Sequence, residues 1–244
     1  MGTYLNRRVI TVAGVALLCT LLMWSVGFGF GNETMFSRML GGATFLGSEV
    51  YLGTWVGFIL FIPIGIGIPY LVVRFLFGED IRDYGASFGD HRQGVIWMLA
   101  LIPAYVLLSL ASAAIGTEEY YTYLVNPEFL KPIRIAIHVC SYLAFALGFE
   151  SLFRGFVLFG LNKGLGDTRT SRWVASIVSG ALSAVALVGH PWVFPAAALI
   201  ISVPAGFLNL RMRSFLYFAF VHWNLGVWSD MWEIIKLNVA HGMV

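Results

Sequence analysis

Charged side chains are scarce in this sequence of 244 residues, since only 11% are Asp, Glu, Lys or Arg and 59% are hydrophobic. Soluble domains carry about 25% charged residues, so the composition excludes a soluble globular protein. Uncharged apolar runs recur instead at about 20 residues, the length of a helix that crosses a bilayer. Because these runs do not alternate polar with apolar residues, they indicate membrane helices rather than barrel strands.

Cysteine is nearly absent as well. Cys19 and Cys140 are the only two, and both fall inside apolar runs. They support neither a disulfide framework nor a cysteine-type zinc site. The sequence also lacks an HExxH motif, which would place two histidine ligands on one helix face. We therefore expect no cofactor, and zinc remains only a weakly supported alternative.

The apolar runs predict an all-α, polytopic membrane protein with about seven spanning helices. The first run is 22 residues long, which exceeds a signal-peptide core, so we interpret it as a retained span. The 38 uncharged residues between Arg172 and Arg211 are too many for one span, and "GHPW" (189–192) predicts a hairpin there. No repeat or soluble domain is visible, so residues 1–244 form one integral membrane domain. The predicted spans are 9–30, 52–73, 94–116, 135–161, 173–189, 193–210 and 214–235.

The distribution of basic residues predicts the orientation. With the N-terminus in the cytoplasm, ten Lys and Arg residues fall on inner segments and four on outer ones, which agrees with the positive-inside rule. The ten are Arg7, Arg8, Arg74, Arg82, Arg92, Lys163, Arg169, Arg172, Arg211 and Arg213. Topology and contact with membrane lipid explain these charges, so no nucleic-acid partner is expected. The bacterial cytoplasmic membrane is the expected location.

Ionisable residues inside predicted spans are the main functional signal, because charge is costly in a bilayer. Glu150 and Arg154 lie four residues apart on one face of the fourth span, and His222 lies in the seventh. His190 lies at the predicted hairpin. A structural ion pair is the alternative explanation for Glu150 and Arg154, although such pairs rarely add net stability.

Counting residues from the predicted inner ends places Glu150, Arg154 and His222 roughly 10–17 Å deep. They can therefore share one polar pocket. His190 fits that pocket only if the fifth span tilts, begins beyond the membrane or turns within the protein. A glutamate and histidines around one cavity suit general-base activation of water, and a histidine or asparagine can stabilise an oxyanion.

Three motifs follow one another in a defined order. "FESLFRGFVLFGL" contains Glu150 and Arg154, "SGALSAVALVGH" ends at His190, and "AGFLNLRMRSFLYFAFVHWN" contains His222 and Asn224. In this order and spacing the chain resembles the CAAX protease and bacteriocin-processing family of intramembrane endopeptidases, also called Abi. The resemblance covers about residues 135–230 and implies an all-helical peptidase core there.

The resemblance also implies site residues. Glu150, helped by His190, is expected to activate water, His222 and Asn224 to stabilise the oxyanion, and Arg154 to orient Glu150. The implied activity is cleavage of a membrane-associated peptide or protein substrate.

Three positions depart from the family pattern. Phe149 stands where the family has the first of two adjacent glutamates, which is usually taken as the base. Gly226 replaces an asparagine four residues after His222, and Ala186 replaces a phenylalanine four residues before His190. Two further interpretations therefore stay open. One is a catalytically inactive member that acts as a membrane binding, immunity or assembly protein, and the other, less favoured, is a small transporter.

Overall fold

The computed structural model describes residues 2–26, 49–114, 131–190 and 192–240. Regular structure in these residues is helical, and no strand occurs among them. The helices are α1 (Gly2–Trp24), α2 (Glu49–Ile62), α3 (Ile68–Leu71), α4 (His91–Ala114), α5 (Pro132–Glu150), α6 (Leu158–Gly164), α7 (Arg169–Ala186), α8 (Val193–Met212) and α9 (Leu216–Ala240). The prediction of an all-α chain is confirmed for this part of the molecule.

Two long rods contain π-helical turns, in which the hydrogen bonds run from i to i+5. Pro63–Gly67 joins α2 to α3, and Val72–Phe77 follows α3. Ser151–Val157 joins α5 to α6, so that a continuous helical rod runs from Pro132 to Gly164. The π-helical segment Ser151–Val157 begins directly after Glu150 and contains Arg154. Wide turns of this kind occur frequently at functional sites.

Each of the seven predicted spans coincides with helix over most of its described residues, the exceptions being 187–189 at the end of the fifth and 214–215 at the start of the seventh. Positions 27–30 of the first predicted span and 115–116 of the third lie outside the described residues. By length and composition, four helical stretches among the described residues could cross a membrane, and they are Arg7–Trp24, Trp55–Phe77, Pro132–Gly164 and Val193–Met212. The chain is thus a membrane protein by this criterion, while the count of seven and the orientation remain predictions.

Glycine residues permit a close approach between α5 and the α2–α3 rod. A Cβ atom at Gly65 would lie 2.0 Å from the carbonyl oxygen of Gly148, and one at Gly148 would lie 2.2 Å from the carbonyl oxygen of Phe61. No side chain fits at such distances, so backbone packs directly on backbone here. This contact fixes α5 against the α2–α3 rod immediately before Glu150.

One end of the bundle is closed by the segment 78–90. Arg8 Nη2 donates to Glu79 Oε1 over 2.6 Å, and the backbone N–H of Asp90 donates to the carbonyl of Met212 over 2.9 Å. Lys163 Nζ lies 3.4 Å from Glu79 Oε2. The start of α1, the end of α6 and the end of α8 therefore meet at the same end, which we call the basic end.

Candidate active site

The centre of the site is a pair between two helices. His222 Nδ1 on α9 lies 2.8 Å from Glu150 Oε1 at the end of α5. The Glu150 side chain is only 4% exposed, whereas that of His222 is 21% exposed. The depth of these residues predicted a shared pocket, and the structure places the two side chains in direct contact. With a carboxylate at Nδ1, the imidazole tautomer that donates from this nitrogen is favoured.

Arg154 engages the other oxygen of the carboxylate. Its Nε lies 3.3 Å from Glu150 Oε2, and its Nη2 donates to Ser202 Oγ on α8 over 2.5 Å. Ser202 in turn donates to the carbonyl of Ala198 and lies 3.3 Å from Ser183 Oγ on α7. Three helices therefore hold the Arg154 side chain. Ser202 and Ser183 were not predicted as site residues, and only their place on helices that pack together identifies them.

A cavity of about 140 Å³ adjoins the pair, and its walls are mostly apolar. Its lining includes Glu150, Arg154, His190 and His222. Four of the five residues predicted for the site thus meet in one place. His190 reaches it because α7 ends at Ala186 and the chain turns at Gly189, whose φ of 111° suits glycine. Val188 and Gly189 at this turn are exposed, whereas His190 itself is half-buried, so which of the three conditions named for His190 is met stays a prediction.

Asn224 does not line this cavity. Its Nδ2 donates to the carbonyl of Phe220 on its own helix over 2.9 Å. Two residues separate Asn224 from His222, and on a helix that spacing directs side chains to different sides. The geometry therefore gives Asn224 no part in the cavity.

Phe149 fills the position of the glutamate that the family pattern expects. The ring is buried, lines the cavity and meets the His222 ring edge-on with centroids 5.2 Å apart. The Arg154 guanidinium lies over the same ring, 5.7 Å from its centroid. Phe149 therefore orients His222 and covers Arg154 without supplying any acid or base.

Gly226 has a packing explanation. A Cβ atom there would lie 1.9 Å from the ring of Tyr142, which lines the cavity from α5. The space beside position 226 is thus occupied by an aromatic side chain from the facing helix. Sequence reasoning on α9 alone missed this contact between position 226 and Tyr142.

A second acid–histidine pair links the same two helices. His138 Nε2 on α5 lies 2.6 Å from Asp230 Oδ2 on α9, and both side chains are buried. The sequence alone favours a structural or interfacial role for His138, one turn inside the outer end of the fourth predicted span, and for Asp230, near the outer end of the seventh, a side chain that reaches towards water. The burial of Asp230 shows that the interpretation of this residue was wrong, because its carboxylate is held by the facing helix.

Metal binding finds no support in the described residues. Among them no group of three or more His, Cys, Asp or Glu side chains could hold an ion. Comparisons with models of protein families, with curated proteins and with solved structures found no match. The function is therefore argued from the geometry of the site.

Proposed function

We propose that this protein is an intramembrane endopeptidase that cleaves a membrane-associated peptide or protein. The observation that carries the proposal is the 2.8 Å contact between Glu150 and His222 beside a largely apolar cavity that also contains His190. A buried carboxylate that orients a histidine, with the ring open to a cavity, is a general arrangement for activating a nucleophile. The motif resemblance across residues 135–230 supports the same activity.

The contacts assign a role to each atom of the pair. Glu150 Oε1 contacts His222, while Oε2 lies 3.3 Å from Arg154 Nε without a hydrogen bond among the described residues, and we assign Glu150 to orienting the histidine. Nδ1 of His222 faces Glu150, which leaves Nε2 to act as the base. This assignment differs from the one that the sequence resemblance implied, because His222 now activates water and Glu150 orients His222.

The reaction then proceeds in two steps. His222 Nε2 takes a proton from water as the oxygen attacks the carbonyl carbon of the peptide bond. A hydrogen-bond donor in the cavity lining stabilises the resulting oxyanion, and we assign this role to His190. The protonated His222 next gives its proton to the leaving amine as the C–N bond breaks, so the histidine ends neutral.

Sequestration in the bundle supports this chemistry. A mostly apolar cavity excludes bulk water and strengthens the electrostatic interactions inside it. The same walls suit an apolar stretch of substrate chain, which is the kind that lies in or on a membrane. The proposed location is the bacterial cytoplasmic membrane, with seven spans and a cytoplasmic N-terminus.

The test is a profile of new peptide N-termini in membranes from cells that express the wild type or His222→Ala at equal levels. We expect termini that occur only with the wild type. The matched control is His91→Ala, because His91 is an exposed histidine outside the cavity. Its Nδ1 lies 2.8 Å from the Tyr217 hydroxyl. Identical profiles for wild type and His222→Ala would contradict the proposal, provided both proteins are monodisperse in detergent.

A second candidate function is a catalytically inactive protein that binds a membrane partner. Two observations favour it, namely that Phe149 occupies the position of the usual base and that Glu150 is paired with both His222 and Arg154. Phe149→Glu separates the candidates. If it creates cleavage that the wild type lacks, the natural chain is the inactive form. If the wild type already cleaves, the new charge beside His222 should lower the rate.

A further inference from the structure

A second pocket, which we call the basic pocket, lies at the basic end of the bundle. Its volume is about 380 Å³, within the roughly 300–1,000 Å³ typical of small-molecule sites. The lining contains three cationic side chains, Arg7, Arg8 and Lys163, and no carboxylate. Leu76 and Phe77 supply apolar surface beside them. The pocket lies apart from the candidate active site, and no lining residue is shared.

Two of the cations are held in place. Arg8 pairs with Glu79 at 2.6 Å and lies over the Phe77 ring, 5.1 Å from its centroid. Lys163 lies 3.4 Å from the same carboxylate and 4.6 Å from the centroid of Tyr84. These contacts fix both side chains before any ligand arrives, which lowers the entropy lost on binding.

Arg7 supplies the excess charge. It is exposed, and within the described part of the chain no ion pair neutralises it. Glu79 contacts both Arg8 and Lys163, and Asp83 Oδ2 lies 3.8 Å from Lys163 Nζ, so the charge of Arg7 is the one that these two carboxylates do not balance. The pocket therefore presents net positive charge to its contents, and an anion with several oxygens, such as a phosphate, matches three converging cations.

The position of the pocket identifies the source of that anion. Three of the four candidate spans begin or end at its walls, at Arg7, Phe77 and Gly164. The pocket thus lies at the boundary between the apolar and polar parts of the protein. Exposed apolar side chains continue from it along the rods, including Ile10, Phe75 and Leu76. A headgroup can occupy the pocket while its acyl chains follow these side chains into the bilayer.

We propose that the basic pocket binds the phosphate-bearing headgroup of an anionic phospholipid. Such a lipid ties together the start of α1, the end of the α2–α3 rod and the end of α6. This function is independent of the proposed peptidase activity, because it uses none of the cavity residues. The composition predicts contact with membrane lipid only in general terms, whereas this proposal names one site and one class of lipid.

The experiment uses the full chain in a neutral detergent and counts bound lipids by native mass spectrometry. Phosphatidylglycerol and phosphatidylcholine with identical acyl chains are supplied together. We expect phosphatidylglycerol to be retained preferentially. Arg7→Gln should weaken its binding about fivefold, since each basic residue near a lipid surface contributes ~1 kcal/mol. Arg7→Gln leaves every described ion pair intact, so the variant is expected to fold.

The matched control is Arg92→Gln, which removes the same charge from an exposed position outside the pocket. It should leave lipid binding unchanged, and Arg7→Gln combined with Lys163→Gln should weaken binding further than Arg7→Gln alone. Equal retention of the two lipids, or equal effects of Arg7→Gln and Arg92→Gln, would overturn the proposal. Displacement of the lipid by excess inorganic phosphate would overturn the lipid assignment in favour of a free phosphate compound.

Discussion

Two acid–histidine pairs join α5 to α9, and they differ in what surrounds them. Glu150 and His222 lie 2.8 Å apart beside a cavity, whereas His138 and Asp230 lie 2.6 Å apart in packed protein. The histidine is 21% exposed in the first pair and fully buried in the second. The two pairs also have opposite arrangements. The acid lies on α5 in the first pair and on α9 in the second.

The comparison shows that the pair itself does not identify a reaction site. In either pair, removing the histidine deprives a buried carboxylate of a partner, and the cost is smaller where the pair is partly open to water. What distinguishes Glu150 and His222 is access, because only their histidine faces space that a substrate could enter. We therefore interpret His138 and Asp230 as a brace between α5 and α9 that keeps the other pair in register.

The largest expected effect is on catalysis, from Glu150→Gln. The amide would present a donor or a weaker acceptor to Nδ1 of His222 and so favour the wrong tautomer for a base. We expect the cleavage rate per folded molecule to fall by about 10²–10⁴-fold, the contribution typical of general-base catalysis. A rate within twofold of the wild type would show that His222 does not depend on Glu150. The measurement is peptide release by the purified protein, using a substrate found in the N-terminal profile.

The brace should give the largest effect on stability, through Asp230→Ala. This change leaves His138 buried without its carboxylate, and such a loss costs about 3–5 kcal/mol. Denaturant unfolding in detergent micelles measures it. The control variant is Arg92→Ala at an exposed position, which should change the free energy of unfolding by less than about 0.5 kcal/mol. Equal stability of the two variants would show that the buried pair does not brace the helices.

Gly226→Asn tests the packing between the two pairs. The new side chain would collide with the Tyr142 ring, and overpacking of this kind costs about 1–3 kcal/mol. Gly14→Ala is the control, since a Cβ atom there meets nothing within 4 Å. Tyr142→Ala should relieve the strain of Gly226→Asn when the two changes are combined. If Gly226→Asn alone is neutral, Tyr142 does not occupy that space.

The smallest expected effect is on stability at acidic pH and involves Glu79, which lies outside the candidate spans. Burial raises the pKa of Glu79, but the hydrogen bond from Tyr84 and the charges of Arg8 and Lys163 outweigh it and hold the pKa below its usual 4.5. The stability that these contacts provide is therefore complete above about pH 4.5 and is lost as the pH falls through the lowered value.

We expect this loss to be at most about 1 kcal/mol, because partly exposed ion pairs contribute little. Unfolding curves at several acidic pH values measure it, and Glu79→Gln should remove this part of the pH dependence. An unchanged pH dependence in Glu79→Gln would assign the effect to other groups.

Much of the fold was predictable because bilayer-length apolar runs dictate helices regardless of how they pack. The shared pocket of Glu150 and His222 was predictable from their depth, since counting residues from the helix ends gives the depth of each. His190 could not be settled in that way, because its level depends on where α7 ends and how the chain turns at Gly189.

The burial of Asp230 was missed for a different reason. A count along α9 places it near the end of a span, where reaching towards water is the simplest interpretation. Only the antiparallel contact of α5 and α9 brings His138 within hydrogen-bond distance of it. The register of α5 against α9 follows from two acid–histidine pairs, with positions 138 and 150 on α5 and 222 and 230 on α9. These pairs could be recognised only once the two helices were known to be neighbours.

The most direct test of the difference between the two pairs measures His222→Gln and His138→Gln side by side, for both substrate cleavage and unfolding. We predict that His222→Gln abolishes cleavage with little loss of stability. We predict that His138→Gln lowers stability while the folded fraction still cleaves. If both variants lose stability alone and neither changes cleavage per folded molecule, the Glu150–His222 pair is a second brace and the catalytic assignment is contradicted.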